Sequence, residues 1–160
     1  YLRKMSNLRE LYQEVILDHN ESPRNFGVIE HADYTAEGDN PLCGDKYVVT
    51  MSIEDGEITE VNFSGSGCAI SKAAASMMTQ HIVGQSVEEA EELIEEFRLM
   101  LTGKLDPSEE PNELGHLKVF ESVSSRPERV KCAVLPFHTL RAALQGKQET
   151  STEGDADPFE

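Results

Sequence analysis

The stretch Tyr47-Val48-Val49-Thr50-Met51-Ser52-Ile53-Glu54-Asp55-Gly56-Glu57-Ile58-Thr59-Glu60-Val61-Asn62-Phe63-Ser64 runs into Gly65-Ser66-Gly67-Cys68 and then into a helical pattern, and that order decides the fold. Tyr47, Val49, Met51 and Ile53 alternate with Val48, Thr50 and Ser52, the period of a strand with one covered face. Asp55-Gly56 is the dipeptide that closes a two-residue hairpin, so residues 58–64 return antiparallel to the first strand. Ile58 is out of phase with Val61 and Phe63, which predicts a bulge at that point. A short third strand is expected near residues 32–37.

Helical spacing surrounds this hairpin. Leu8, Leu11, Tyr12, Val15 and Ile16 predict an amphipathic helix over residues 6–18, closed by Asn20-Glu21-Ser22-Pro23. After Cys68, the residues Ile70, Ala73, Ala74, Met77, Met78 and His81 share a helical face that stops at Val83-Gly84. Ser86 and Glu89 form a capping box for the next helix, whose stripe is Ala90, Leu93, Ile94, Phe97 and Leu101. Residues 103–113 read as loop, and Leu114, Leu117, Phe120 and Glu121 as a short helix. A last helix is expected over residues 133–144, with Pro136 in its first turn. From residue 148 the chain is polar and acidic, so residues 1–147 are expected to form one domain and 148–160 a disordered tail.

Composition narrows the function. Fourteen basic residues against thirty acidic ones give a net charge of -16, which repels phosphate backbones and argues against nucleic acid as a partner. No stretch approaches the roughly 20 apolar residues of a membrane span, and the N-terminal residues carry no apolar signal core. Three widely spaced cysteines do not make a secreted disulfide framework, so reduced thiols and a cytoplasmic location are expected.

Those cysteines are the candidate chemistry: Cys43-Gly44-Asp45, Gly65-Ser66-Gly67-Cys68 and Val130-Lys131-Cys132-Ala133. In an extended segment Cys43 and Asp45 project to one side, and Gly44 allows close backbone approach. Cys68 follows a strand and opens a helix, where unpaired N–H groups favour the thiolate; Cys132 is expected in a similar position. Three thiolates and a carboxylate can complete a tetrahedral zinc shell. The separations match no zinc-finger spacing, so tertiary folding would have to assemble the site, and cysteines are also common as inert buried residues.

The other side chains carry less. His19, His31, His81, His116 and His138 are scattered; His81 reads as a satisfied helix-face residue, and His138, six residues after Cys132, is off its helical face. Gly65-Ser66-Gly67 lacks the lysine and hydroxyl of a phosphate loop. Met77 and Met78 read as core.

The segments Asn40-Pro41-Leu42-Cys43-Gly44-Asp45, Gly67-Cys68-Ala69-Ile70-Ser71 and Lys131-Cys132-Ala133 closely resemble the IscU/NifU-like iron–sulfur cluster assembly family, from the first helix to the last. The resemblance implies an α+β fold in which a small antiparallel β-sheet of about three strands is covered by helices, with the cysteines at one exposed end. Lys131 stands where scaffold members usually carry histidine, and extra residues lie around 103–123; both features are similar to the SufU type. No proline-rich chaperone-recognition segment is evident at residues 125–131.

What that branch implies is a zinc-bearing sulfur acceptor, a possible sulfurtransferase acting with a cysteine desulfurase of the SufS type and passing sulfur to downstream Suf assembly or acceptor proteins. Zn2+ would be held by Cys43, Asp45, Cys68 and Cys132. Asp45, the hardest donor, would exchange when a partner offers a ligand, and Cys43 would be the nucleophile. Two alternatives stay open: a scaffold on which Cys43, Cys68 and Cys132 hold a transient [2Fe-2S] cluster, and a structural zinc adapter. Arg126, Arg129 and Lys131 form a small basic patch that would serve docking or be ordinary solvated surface.

Overall fold

A computed structural model describes residues 2–152, with side chains described from residue 10 onward. Helix α1 (Leu2–Glu21) leads into three antiparallel strands, β1 (Tyr34–Asn40), β2 (Asp45–Glu54) and β3 (Glu57–Ser66). Helices α2 (Ala69–Ile82) and α3 (Val87–Leu101), a 3-10 helix (Gly115–Val123), α4 (Pro127–Leu144) and a short strand β4 (Glu149–Ser151) follow. The sheet order is β3-β2-β1-β4.

The hairpin is the one the alternation predicts. Tyr47, Val49 and Met51 of β2 and Ile58, Val61 and Phe63 of β3 are fully or almost fully buried. Between Ser52/Glu60 and Ile53/Ile58 the register shifts by one residue on β3, the bulge that brings Ile58 back to the covered face. Asp55 and Gly56 both take positive φ in the turn between the strands.

Helices α2 and α4 lie against the covered face of the sheet and against each other, with α1 on α2 and α3 on α4. Phe97 of α3 stacks on Phe137 of α4 at 3.9 Å between centroids, and Phe120 meets Phe97 edge-on. The predicted capping box of α3 is formed, with Ser86 Oγ accepting from the Glu89 N–H and Glu89 Oε1 accepting from the Ser86 N–H, both at 3.1 Å. On α1, Tyr12, Val15, Ile16 and His19 form the inner face, whereas Leu11 is 43% exposed; the side chain of Leu8 lies outside the described residues.

Helix α1 runs longer than the expected 6–18 and β1 lies a little after the expected 32–37, and two further differences bear on the site. Helix α4 begins at Pro127 rather than at 133, because proline at the first helical position needs no N–H partner. Cys132 is therefore inside the helix, and Pro136 lies in its interior, where it cannot donate to the Cys132 carbonyl four residues back. Residues 149–151, read from composition as part of an acidic tail, instead add a fourth strand parallel to β1, pairing Glu37 with Glu149 and Asp39 with Ser151. The rest of the expected tail, 153–160, lies outside the described residues. Among the described residues no helix is long and apolar enough to cross a membrane.

Candidate metal and sulfur site

The site forms at the end of the sheet where β1 turns into β2 and β3 runs into α2. Residues 40–44 make a tight turn, in which the Asn40 carbonyl accepts from the N–H groups of Cys43 at 3.2 Å and Gly44 at 2.8 Å. Gly44 sits at φ +77°, a conformation that costs other residues more, and this turn leaves Cys43 exposed.

Asp45 opens β2, directly across from Asn40, and is buried to 1% exposure. Its Oδ1 accepts from the Cys68 N–H at 2.8 Å. Its Oδ2 is buried with no hydrogen-bond partner. Burying an unpaired carboxylate oxygen is costly unless a cation or donor arrives to meet it.

Cys68 is the N-cap residue of α2, in extended conformation, and its carbonyl accepts the Lys72 N–H at 3.1 Å. Its sulfur lies 3.7 Å from Ser71 Oγ, which in turn is 2.9 Å from the hydroxyl of buried Tyr47. Gly67 makes this possible. A Cβ there would lie 2.6 Å from Asp45 Oδ1, from Ser71 Oγ and from the Tyr47 hydroxyl alike.

Cys132, on α4, is buried, and its thiol reaches Cys43 Sγ at 3.5 Å across 89 residues of sequence. The donor atoms of Cys43, Asp45 and Cys132 all lie within 4.8 Å of one another. Cys68 falls outside that group but touches it, through its backbone N–H on Asp45 and a side-chain hydrogen bond with Cys132. Folding thus brings all four sequence-predicted residues to one end of the molecule.

The two inner thiols share their charge unequally. The hydrogen bond from Cys132, helped by the Ser71 backbone and hydroxyl, lowers Cys68 to about 6 against opposing burial. Cys132 moves the other way: donating to Cys68 and sitting in an apolar environment raise it. The sequence expectation of an activated thiol holds for Cys68. It fails for Cys132, since α4 starts five residues earlier and the helix N-terminus is too far away.

The donor set suits a soft divalent ion. Two mutually close sulfurs, a third beside them and an orphaned carboxylate oxygen match the ligands that zinc or a cysteine-bound iron–sulfur cluster takes. Among the described residues no histidine joins the Cys43, Asp45 and Cys132 group: His81 Nε2 bonds the Glu113 carbonyl at 2.8 Å, His19 Nδ1 bonds Ser76 Oγ at 2.6 Å, His31 and His116 are exposed, and His138 is buried on α4. Sequence reasoning gave no role to Tyr47, Ser71 or Asn40. Tyr47 could have been found from its strand phase with Asp45, and Ser71 from its place one helical turn after Cys68.

Residues 11–133 match the NifU-like N terminal domain. The chain belongs to this family. It is 38% identical, over 87% of its length and 92% of the relative, to the zinc-dependent sulfurtransferase SufU of Bacillus subtilis (strain 168). It is 34% identical, over 88% of its length and 87% of the relative, to the iron–sulfur cluster assembly scaffold protein IscU of Streptococcus pyogenes serotype M1. The crystal structure of FiSufU from Fervidobacterium islandicum AW-1 aligns with a TM-score of 0.78 at 36% identity. That alignment covers 84% of this chain and 97% of the other. The matched segment ends at Ala133, inside the first half of α4, and the resemblance seen in the three cysteine motifs is correct.

Proposed function

We propose that this chain is an iron–sulfur cluster assembly protein that accepts persulfide sulfur on Cys43 from a cysteine desulfurase of the SufS type. The observation that carries this reading is the buried, unpartnered Oδ2 of Asp45 lying within 4.8 Å of the Cys43 and Cys132 sulfurs. Zn2+ would be held by Cys43, Asp45, Cys68 and Cys132, and when bound it keeps thiols deprotonated at neutral pH.

The residues then divide the work. Cys43, exposed on its turn, is the sulfur a partner can reach. Its thiolate attacks the terminal sulfur of the desulfurase persulfide; a new S–S bond forms on Cys43 as the old one breaks, and the desulfurase cysteine leaves as thiolate, with no net oxidation. Asp45, whose Oδ1 is engaged by Cys68, has only Oδ2 to offer and is the harder, more exchangeable donor. Cys68 and Cys132, further inside, keep their places. Arg126 is exposed and Arg129 half-buried near Tyr12 of α1, and with Lys131 we assign them to docking the desulfurase. Three unpaired thiols suit a reducing compartment, and we place the chain in the cytoplasm.

The likeness to IscU supports a second reading, in which the same thiols hold a transient [2Fe-2S] cluster as cargo. Metal analysis and a desulfurase assay on anaerobically purified protein separate the two. Tight zinc with faster desulfurase turnover supports sulfur transfer; iron and sulfide passed intact to an acceptor apoprotein supports the scaffold. A Cys43→Ala variant is expected to lose stimulation of the desulfurase, and full stimulation by that variant would refute the acceptor role. A structural zinc adapter would show no persulfide on Cys43 by mass spectrometry during turnover.

A further inference from the structure

Asn40 ends β1 and is completely buried beside the site. Its carboxamide is held at three points. Oδ1 accepts from the Leu42 N–H at 3.3 Å and from the Thr152 hydroxyl at 3.1 Å, which leaves Nδ2 to donate toward Cys132 Sγ at 3.8 Å. An amide whose oxygen already holds two donors cannot flip without breaking both. Thr152 is itself buried, and its N–H donates to the Asp39 carbonyl at 3.1 Å as β4 ends. The family match stops at residue 133, so this arm lies beyond it.

We propose that Asn40 is a positioning residue for Cys132 and that the C-terminal strand, through Thr152, holds it in that orientation. The proposal rests on the reading in which Cys132 stays a ligand while Cys43 reacts. An N–H bond to a sulfur ligand draws charge from its lone pairs and fixes its direction. Cys132 is thereby kept in place as a poor nucleophile, and Cys43 is left as the sulfur that meets an incoming persulfide. Pairing of β4 with β1 sets the relay, because it is the register Asp39↔Ser151 that delivers Thr152 to Asn40.

The test uses the full chain loaded with zinc, in Asn40→Ala, Thr152→Val and Thr152→Ser forms. Zinc affinity is measured by chelator competition, and cysteine reactivity by iodoacetamide labelling with peptide mass spectrometry. Asn40→Ala is expected to weaken zinc binding by about 10-fold, the scale for losing a hydrogen bond to a metal ligand, and to admit label at Cys132 where the wild type labels at Cys43. Thr152→Val should move both readouts the same way, and Thr152→Ser should restore them. If Asn40→Ala does not fold, as judged by circular dichroism, the Thr152 pair decides. Unchanged zinc affinity and labelling order in the variants, even with reduced apoprotein stability, would overturn the proposal, as would equal effects of valine and serine. Failure of wild-type Cys43 to acquire a persulfide from the desulfurase, with the labelling order intact, would count against sulfur transfer and not against the role of Asn40.

Discussion

Replacing Gly67 with alanine should damage the site without touching a sulfur. The added methyl would lie 2.6 Å from three oxygens, on Asp45, Ser71 and Tyr47, where ordinary contact begins at 3.4 Å. Each neighbour must therefore give by about 0.8 Å, or the strand-to-helix junction must move by as much. All three are tied by hydrogen bonds: Asp45 Oδ1 to the Cys68 N–H at 2.8 Å, and Ser71 Oγ and the Tyr47 hydroxyl to each other at 2.9 Å. Overpacking of this kind costs about 1–3 kcal/mol, and losing a hydrogen bond to a carboxylate about 1.5–3 kcal/mol, so a combined cost of about 3 kcal/mol allows for relaxation. For a domain of this size that corresponds to a fall in Tm of about 6–12 °C. Urea unfolding of the metal-free protein is the suitable assay, since bound zinc would add its own stabilisation. The midpoint should fall with the slope unchanged, and zinc affinity should fall with it as Asp45 and Cys68 are pushed apart. A Gly67→Ala protein with wild-type midpoint and wild-type zinc affinity would refute the argument that these contacts build the site.

Other perturbations read out separate parts of the molecule. Ser86→Ala removes one half of the capping box of α3 and should cost about 1 kcal/mol in urea unfolding, with zinc binding unaffected because α3 contributes no ligand. In the metal-free protein, alkylation of Cys68 should rise through about pH 6 and then level, while Cys132 stays unreactive over that range; a common midpoint for both would contradict their unequal sharing of charge. Burial, then the Arg24 charge, holds His19 below its ordinary value of 6.5, so the folded state binds this proton less readily than the unfolded one. The stability tied to neutral His19 is therefore intact above 6.5 and lost as pH falls below it, and His19→Asn should flatten that decline.

Local signals made most of this fold legible. The hairpin was readable because one face of each strand is buried, so period-two alternation, an Asp-Gly turn and a bulge all leave marks in the sequence. The capping box was readable because both its bonds lie within four residues. What escaped depends on distant partners. Strand β4 is three residues of Glu-Thr-Ser, with no apolar alternation, and it exists because the open edge of β1 offers unpaired backbone N–H and C=O groups. The early start of α4 was hidden by Arg126-Pro127, which reads equally as a chain break or as a helix start. For the site, the four ligand candidates are visible from residue type and motif, whereas Asn40, three residues before Cys43, carries no local sign of its task. Its task depends on Cys132 and Thr152, 92 and 112 residues away.

The three cysteines show why residue type alone could not assign roles. Cys43 is exposed on a turn, Cys68 is half-buried at a helix start and Cys132 is buried inside a helix, so one functional group meets three environments within a few ångströms. Exposure decides which sulfur a partner can reach, the helix start and the Cys132 thiol decide which carries charge in the metal-free protein, and burial with an amide donor decides which is held back. The sulfur transfer proposed for this chain would need that gradient, because identical thiols in identical settings would all react. The fold supplies it through backbone placement: a glycine-bearing turn for Cys43, a strand-to-helix junction for Cys68 and the second turn of α4 for Cys132.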